Sequence, residues 1–400
     1  MNHIPESLEI PAGYKFGAVA SGIKKSGKLD LSVMVASHPC HTFGSFTRNV
    51  VRASSVDWNS ENVGVNQALV INSGNANACT GQQGAQDTAD MARKLASLLN
   101  CRDTDVCVMS TGIIGEPMPM GIIESGIESV FAKLETTEAS ARAFADGIMT
   151  TDTFPKIVSR KFTVDGHEYR LLGMAKGAGM IGPKMATMLC LLVTDFPLDS
   201  TNPNRTQFQQ VIDRTFNCIG VDGHTSTSDQ VLLFAAQPDP DSLAEPAPFF
   251  RELDSTCEEL AKLIPSDGEG ATHLITIEVE GSQTVEELKV VAKTIADSPL
   301  VKTAVFGADP NWGRIVSAAG YSGVTFDPAE TSLWVNEHLL FEAGTPVEFD
   351  AKLVSDSIKD SFDTSIQLRL CESSNDLNVA HFWTSDLTYD YVKINAEYHT

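Results

Sequence analysis

The sequence predicts an α/β protein, and three observations carry that prediction. Apolar runs of strand length, such as Gln67–Ile71 and Val231–Phe234, recur along the chain. Stretches with helical apolar periodicity, such as Ala85–Leu99 and Pro246–Ile264, lie between them. The 400 residues, 42% hydrophobic and 20% charged, are enough for one large or two to three ordinary domains with a sizeable core.

The bulk numbers exclude several partner classes. The formal net charge is −23, from 29 basic and 52 acidic residues. Nucleic acid and anionic membrane both require basic patches, so neither is expected as a partner. A small anionic substrate stays compatible, because the local field counts there. No apolar run approaches the ~20 residues of a membrane span. The segment MNHIPESLEIPAGYKFG has neither a basic start nor an apolar core, which predicts no signal peptide and a cytoplasmic protein. The eight cysteines form no CxxC and no framework spacing, as expected of reduced, buried thiols. The nine histidines make no HExxH, so no metal site is expected.

In chain order, Leu29–Val35 alternates in part and follows a turn at Lys25–Lys28, predicting a strand. Gln67–Ile71 is a second strand. It runs into Asn72-Ser73-Gly74-Asn75-Ala76-Asn77-Ala78-Cys79, which is poor helix and poor strand and therefore a loop. Ala85–Leu99 is a helix with Ala89, Met91, Leu95 and Leu98 roughly on one face. Asp105–Met109 is a short strand ending in Ser110-Thr111-Gly112, a sequence that can offer backbone N–H groups to a developing oxyanion. Helices follow at Met118–Leu134 and Ala139–Met149. The second runs into Thr150-Thr151-Asp152-Thr153, a cap or turn. Lys156–Leu172 is a hairpin about Asp165-Gly166.

Lys176–Asp195, KGAGMIGPKMATMLCLLVTD, is the stretch that raises a chemical question. A small-residue loop with one cation leads through Gly182-Pro183 into a buried strand at Met185–Val193, broken only by Thr187. Threonine packs well in strands. If the chain were cut before Thr187, its new α-amine could instead serve as base for its own Oγ. Ala186 suits such a cut, being small. Spacing alone leaves both readings open.

Downstream, Thr206–Cys218 is helical, and the polar turn Val221–Asp229 precedes the strand Val231–Phe234. The helix Pro246–Ile264 stops before Ser266-Asp267-Gly268-Glu269-Gly270-Ala271-Thr272, where a glutamate lies between two glycines. The pattern then reads strand (His273–Gly281), helix (Thr284–Ala296), a segment Thr303–Phe306 leading into the loop Gly307–Arg314, and strands around Ser332–Leu340 and Ser365–Leu370. The chain closes on YVKINAEYHT.

These segments together resemble the ornithine acetyltransferase family, the glutamate N-acetyltransferases of arginine biosynthesis. The resemblance rests on SGNANA at 73–78, on Thr111-Gly112, on KGAGMI and MATML at 176–189, on VDGHTSTSD at 221–229, on GEGAT at 268–272, on DPNWGR at 309–314 and on the closing YVKINAEY. This chain departs from the usual pattern at Gly182, Lys184, His224, Ser228 and His273. The resemblance implies an αββα sandwich of the self-processing N-terminal-nucleophile type with smaller α/β subdomains. It implies cleavage between Ala186 and Thr187 into an α chain (1–186) and a β chain (187–400), with 187–280 completing the sandwich and 281–400 forming a smaller domain. The two chains would assemble as a heterotetramer.

The implied reaction is ping-pong acetyl transfer from N-acetylornithine to glutamate through acetyl-Thr187, with Thr111 and Gly112 as oxyanion hole. Thr150 (or its neighbour Thr151), Lys176, Thr187, Glu269, Asn395 and Thr400 are the implied substrate contacts. No cofactor is expected, and the motifs leave open acetyl-CoA as a second acetyl donor. Two alternatives stand beside this reading. One is a self-cleaving N-terminal-nucleophile amidase or aminopeptidase, in which water is the acceptor. The other is an unprocessed binding protein, kept in view by Lys184 three residues before Thr187.

Overall fold

The computed structural model describes residues 5–182, 188–238, 244–371 and 377–397. Ala186, Thr187 and Thr400, three of the residues singled out above, lie outside the described residues. The chain divides into two compact units, one of residues 1–217 and 224–264 and the other of 218–223 and 265–399. No helix among the described residues is long and apolar enough to cross a membrane.

The first unit is built from β1 (Tyr14–Val19), β2 (Leu31–Phe46), α1 (Ser54–Asn62), β3 (Val65–Asn75), α2 (Gly81–Leu99), β4 (Val106–Ile113), α3 (Met120–Phe131), α4 (Glu138–Ile148), β5 (Lys156–Val164), β6 (His167–Lys176), β7 (Leu189–Pro197) and α5 (Asn202–Arg214). The short β8 (Ile219–Gly220) belongs to the second unit, and β9 (Gln230–Ala236) and α6 (Ala247–Ser266) follow. One sheet runs β4-β3-β2-β9-β7-β6-β5, with β1 also on β2.

β2 is the strand that folds this sheet over. Its first residues, Leu31–Ala36, pair with β1, and Leu31–Val35 also pair with β3. Its last residues, His41–Phe46, pair with β9. The β2–β3 ladder slips between Val35 and Cys40, and a slip of this kind bends a strand. The two halves then share one core. Met34, Leu69, Ile71 and Met109 from the first half cluster with Met174, Leu189, Leu191, Val193, Leu232 and Phe234 from the second.

Each half covers its other face with helices. Val33, Val70, Val106 and Val108 pack on Met91 and Leu95 of α2 and on Ile123 and Ile127 of α3. Phe162 and Phe196 meet Phe249 of α6, and the Phe196 and Phe249 rings stack with centroids 5.0 Å apart. Alternation along the strands dictates this division, since neighbouring side chains point to opposite faces. The layers are therefore helix, sheet, sheet, helix, the expected αββα sandwich. A polar tie crosses the inner layer, where the buried Tyr14 hydroxyl lies 2.9 Å from the Thr194 carbonyl and 3.0 Å from that of Phe234. Burial pushes its pKa well above the ordinary value, so it stays a donor.

The second unit holds β10 (Leu274–Gly281), α7 (Val285–Ala296), α8 (Pro299–Phe306), α9 (Trp312–Gly320), β11 (Ser332–Val335), β12 (His338–Glu342), β13 (Thr345–Pro346), α10 (Ala351–Lys359), β14 (Asp363–Arg369), β15 (Asn378–Ser385) and α11 (Tyr389–Glu397). Its sheet runs β13-β12-β11-β14-β10-β15-β8. This moves the expected boundary after residue 280. β10 pairs in parallel with β14 and antiparallel with β15, so it completes the second sheet and not the sandwich. The Thr303–Phe306 segment is the end of helix α8, and the expected loop Gly307–Arg314 runs into α9. There Asn311 caps the helix by accepting from the Arg314 N–H at 3.1 Å.

Candidate functional site

The start of β7 is where the first unit gathers its polar groups. Lys176 pairs directly across from Leu189, and Gln230 pairs with Leu189 from the other side. Leu172 and Met174 face the inner layer, so alternation places Lys176 on that face too. Its side chain is 1% exposed. A lysine buried to this degree requires an anion, and Asp152 supplies it.

Asp152 makes four contacts. Its Oδ1 accepts from Lys156 Nζ at 2.6 Å and from the Gly177 N–H at 2.6 Å. Its Oδ2 accepts from the Thr150 N–H at 2.9 Å and lies 3.9 Å from Lys176 Nζ. Burial alone would raise the carboxyl pKa. The charges of Lys156 and Lys176 outweigh it and hold Asp152 well below the carboxylate range. The three residues carry two positive charges and one negative, a local excess of one cation in a strongly acidic chain. Lys24 adds a further amine. It donates to Leu29 O at 2.8 Å and Met149 O at 2.7 Å, and burial pushes its pKa down to about 8. Thr150 and Lys176, expected as substrate contacts, are thus brought together by one carboxylate.

Thr111 and Gly112 lie at the end of β4. Cys107 and Met109 face the inner layer, so Thr111 faces it as well. Gly112 has φ +133°, and a Cβ there would sit 2.3 Å from the Gly74 carbonyl carbon, so only glycine lets the ends of β3 and β4 meet. Ser73 pairs with Thr111 across the ladder, and its Oγ donates to Gly147 O at 2.6 Å. This fixes the end of α4 three residues before Thr150. On the other side, Asn59 of α1 donates to Val108 O and to Gln230 Oε1, each at 2.6 Å, and accepts from the Val108 N–H at 2.9 Å. A continuous set of buried hydrogen bonds therefore ties the oxyanion candidate strand β4 to β9, the neighbour of β7.

The Asn72–Cys79 segment is held by its own side chains. Asn75 Nδ2 donates to Glu116 O (3.0 Å) and Pro117 O (3.1 Å), and Asn77 Nδ2 donates to Gly84 O (2.8 Å). The expected loop is in part strand, since Asn72–Asn75 end β3 and pair with β4, and side chains of Asn75 and Asn77 hold the backbone beyond it.

The second unit holds Glu269 and Asn395, and these meet. Asn395 Nδ2 donates to Glu269 Oε2 at 2.9 Å, across 126 residues of sequence. Two devices set the Glu269 loop. Gly270, at φ +70°, lies so close to α11 that a Cβ would be 2.6 Å from the Tyr391 nitrogen. Asp386 accepts from the backbone N–H groups of Thr272 at 2.8 Å and His273 at 3.1 Å. Burial would raise the Asp386 carboxyl pKa, but hydrogen bonds from His273 and Thr272 outweigh it and hold the group ionised.

Sequence reasoning missed Asp152, Lys156, Lys24, Asn59 and Asp229. Asp152 read as a cap or turn, Lys156 pairs with it only four residues away, and Asp229, Lys24 and Asn59 reach partners 41, 125 and 171 residues away.

Comparison with known proteins agrees with the motifs. The profile of the ArgJ family matches residues 15–400. The arginine biosynthesis bifunctional protein ArgJ of Rhodopirellula baltica is 42% identical over 402 residues, covering 98% of this chain and 96% of that protein. Its namesake in Parasynechococcus marenigrum is 42% identical over 394 residues, covering 98% and 94%. Among solved structures, the arginine biosynthesis bifunctional protein of Bacillus halodurans is 37% identical over 51% of this chain and 96% of that one, with a TM-score of 0.47.

Proposed function

The chain belongs to the ArgJ family, and we propose that Thr187 is its acetyl-carrying nucleophile, released by self-cleavage of the Ala186–Thr187 bond. It is an acetyltransferase of arginine biosynthesis. The proposed reaction takes the acetyl group from N-acetylornithine to glutamate. The observation that carries it is the Asp152 cluster beside the start of β7, which keeps the Lys176 cation buried across the ladder from Leu189, a residue two positions after Thr187 in the sequence.

In this reading Thr187 Oγ attacks the acetyl carbonyl while the Thr187 α-amine takes the hydroxyl proton. Thr111 and Gly112 bind the oxyanion. The C–N bond breaks, the proton passes to the departing amine, and ornithine leaves. The glutamate amine then attacks acetyl-Thr187, and N-acetylglutamate leaves as Thr187 regains its proton. The local positive charge suits a substrate carboxylate, and Lys176 also depresses the pKa of any neighbouring amine. Glu269, oriented by Asn395, offers its carboxylate to the substrate's amino group. Thr400 is proposed to close the same site. The α and β chains are proposed to form a heterotetramer in the cytoplasm, where eight free cysteines are at home. Acetyl-CoA is proposed as a second acetyl donor alongside N-acetylornithine.

The test is product analysis with N-acetylornithine and glutamate supplied together. Free N-acetylglutamate is the expected product, and release of acetate alone would contradict the transfer. Glu269→Gln keeps the side chain's shape but not its charge. It is expected to raise the KM for the amino-acid substrate about tenfold or more, as loss of a charged hydrogen bond does. An unchanged KM would remove Glu269 from substrate binding.

A further inference from the structure

Asp229 is a buried acid that the chemistry above does not use. It is 0% exposed, at the end of the polar turn before β9. Its Oδ1 accepts from the Met188 N–H at 2.9 Å. The next residue completes the grip, since the Gln230 N–H donates to Met188 O at 3.1 Å. Both polar backbone groups of Met188 are therefore held by two consecutive residues. The Asp229 carbonyl accepts from the Thr47 N–H at 3.0 Å, so the holder is itself fixed to the chain that leaves β2.

Packing alone does not account for a carboxyl buried at this place. Burying a carboxyl costs free energy that burying an apolar residue does not. Burial pushes its pKa well above the carboxylate range, although the Met188 N–H, the Lys176 charge and the Thr47 and Ser226 hydroxyls favour the ion. An aspartate here needs a reason beyond packing, and its position gives one. The N–H it accepts belongs to the Thr187–Met188 peptide, and a peptide group is planar. That hydrogen bond fixes the N–H of the peptide that joins Met188 to the preceding residue.

We propose that Asp229 is a positioning residue for Thr187: by accepting from the Met188 N–H it holds the Thr187–Met188 peptide in the orientation from which Oγ attacks. The inference rests on the reading of Thr187 as nucleophile. It requires of Asp229 an acceptor at Oδ1 and not a charge. Self-cleavage is the step to measure, because it needs Oγ aimed at the Ala186 carbonyl and no substrate.

Asp229→Asn keeps the acceptor and the shape, whereas Asp229→Leu fills the volume without an acceptor. The appearance of two polypeptides is followed by intact mass after a pulse of synthesis, with thermal melting to confirm folding. Asp229→Asn is expected to cleave within about threefold of the wild type, and Asp229→Leu about 100-fold more slowly, the scale of a small misplacement of reacting groups. Wild-type cleavage in Asp229→Leu overturns the inference. So does Asp229→Asn as slow as Asp229→Leu, which would assign the carboxyl a proton-transfer role instead. If Asp229→Leu does not fold, Asp229→Ala takes its place under the same criteria. A wild-type chain that stays whole overturns the nucleophile itself, a result distinct from either.

Discussion

Thr187→Ala is expected to remain a single 400-residue chain of 43.1 kDa, with acetyl transfer reduced at least about 10⁴-fold. The two losses share one cause. Self-cleavage requires Oγ to attack the preceding carbonyl, and transfer requires the same oxygen to carry the acetyl group after the cut. Alanine removes the oxygen and keeps a Cβ methyl group. The strand below it, Leu189 to Val193, is buried in the sandwich core whatever stands at 187, so melting temperature is expected to change little. The checks are intact mass and a coupled ornithine-release assay on the same preparation. A Thr187→Ala protein that is still cut would contradict the mechanism at its root.

Asp152→Ala is expected to have the largest effect on stability, about 3–5 kcal/mol of unfolding free energy. Its side chain and that of Lys156 are both fully buried, and Lys176 is nearly so. Removing the carboxylate leaves two ammonium groups in the interior without it, and each can escape only by losing its proton or by reaching water. The substitution also frees the Thr150 and Gly177 N–H groups, so activity is expected to fall in any fraction that folds. The pH dependence has a definite sign. The folded pKa of Asp152 lies below its unfolded value of about 3.9. Its stabilisation is therefore complete above that value and is lost as pH falls through the folded pKa. Urea midpoints measured from neutral pH downwards should drop less steeply in Asp152→Asn than in the wild type. Parallel curves would show that the cluster is not the source of acid sensitivity.

Much of the fold was legible because it was local. The α2 and α6 helices follow from apolar periodicity, and the β5–β6 hairpin follows from Asp165-Gly166 between alternating runs. α1 was not legible. Its sequence SSVDWNSEN buries Ser55, Val56 and Asn59, so its inward face is largely polar and leaves no hydrophobic pattern. The length of β2 was hidden for a related reason. Ser37-His38-Pro39 interrupts the alternation at the place where the strand changes partners. The boundary at 280 failed because β10 is claimed by strands about 90 to 110 residues later, a long-range choice no window can see. Thr111, Gly112, Lys176, Glu269 and Asn395 stand in motifs and could be named. Asp152 and Asp229 act through backbone N–H groups brought to them by folding, and a sequence does not display such partners.

The central claim is that this chain cuts itself before Thr187 to make its own nucleophile. Intact mass of the purified wild-type protein, with the amino-terminal sequence of any second polypeptide, tests it most directly. Two polypeptides, the second beginning at Thr187, are the result the account predicts. One uncut 400-residue chain that still transferred acetyl groups would contradict it.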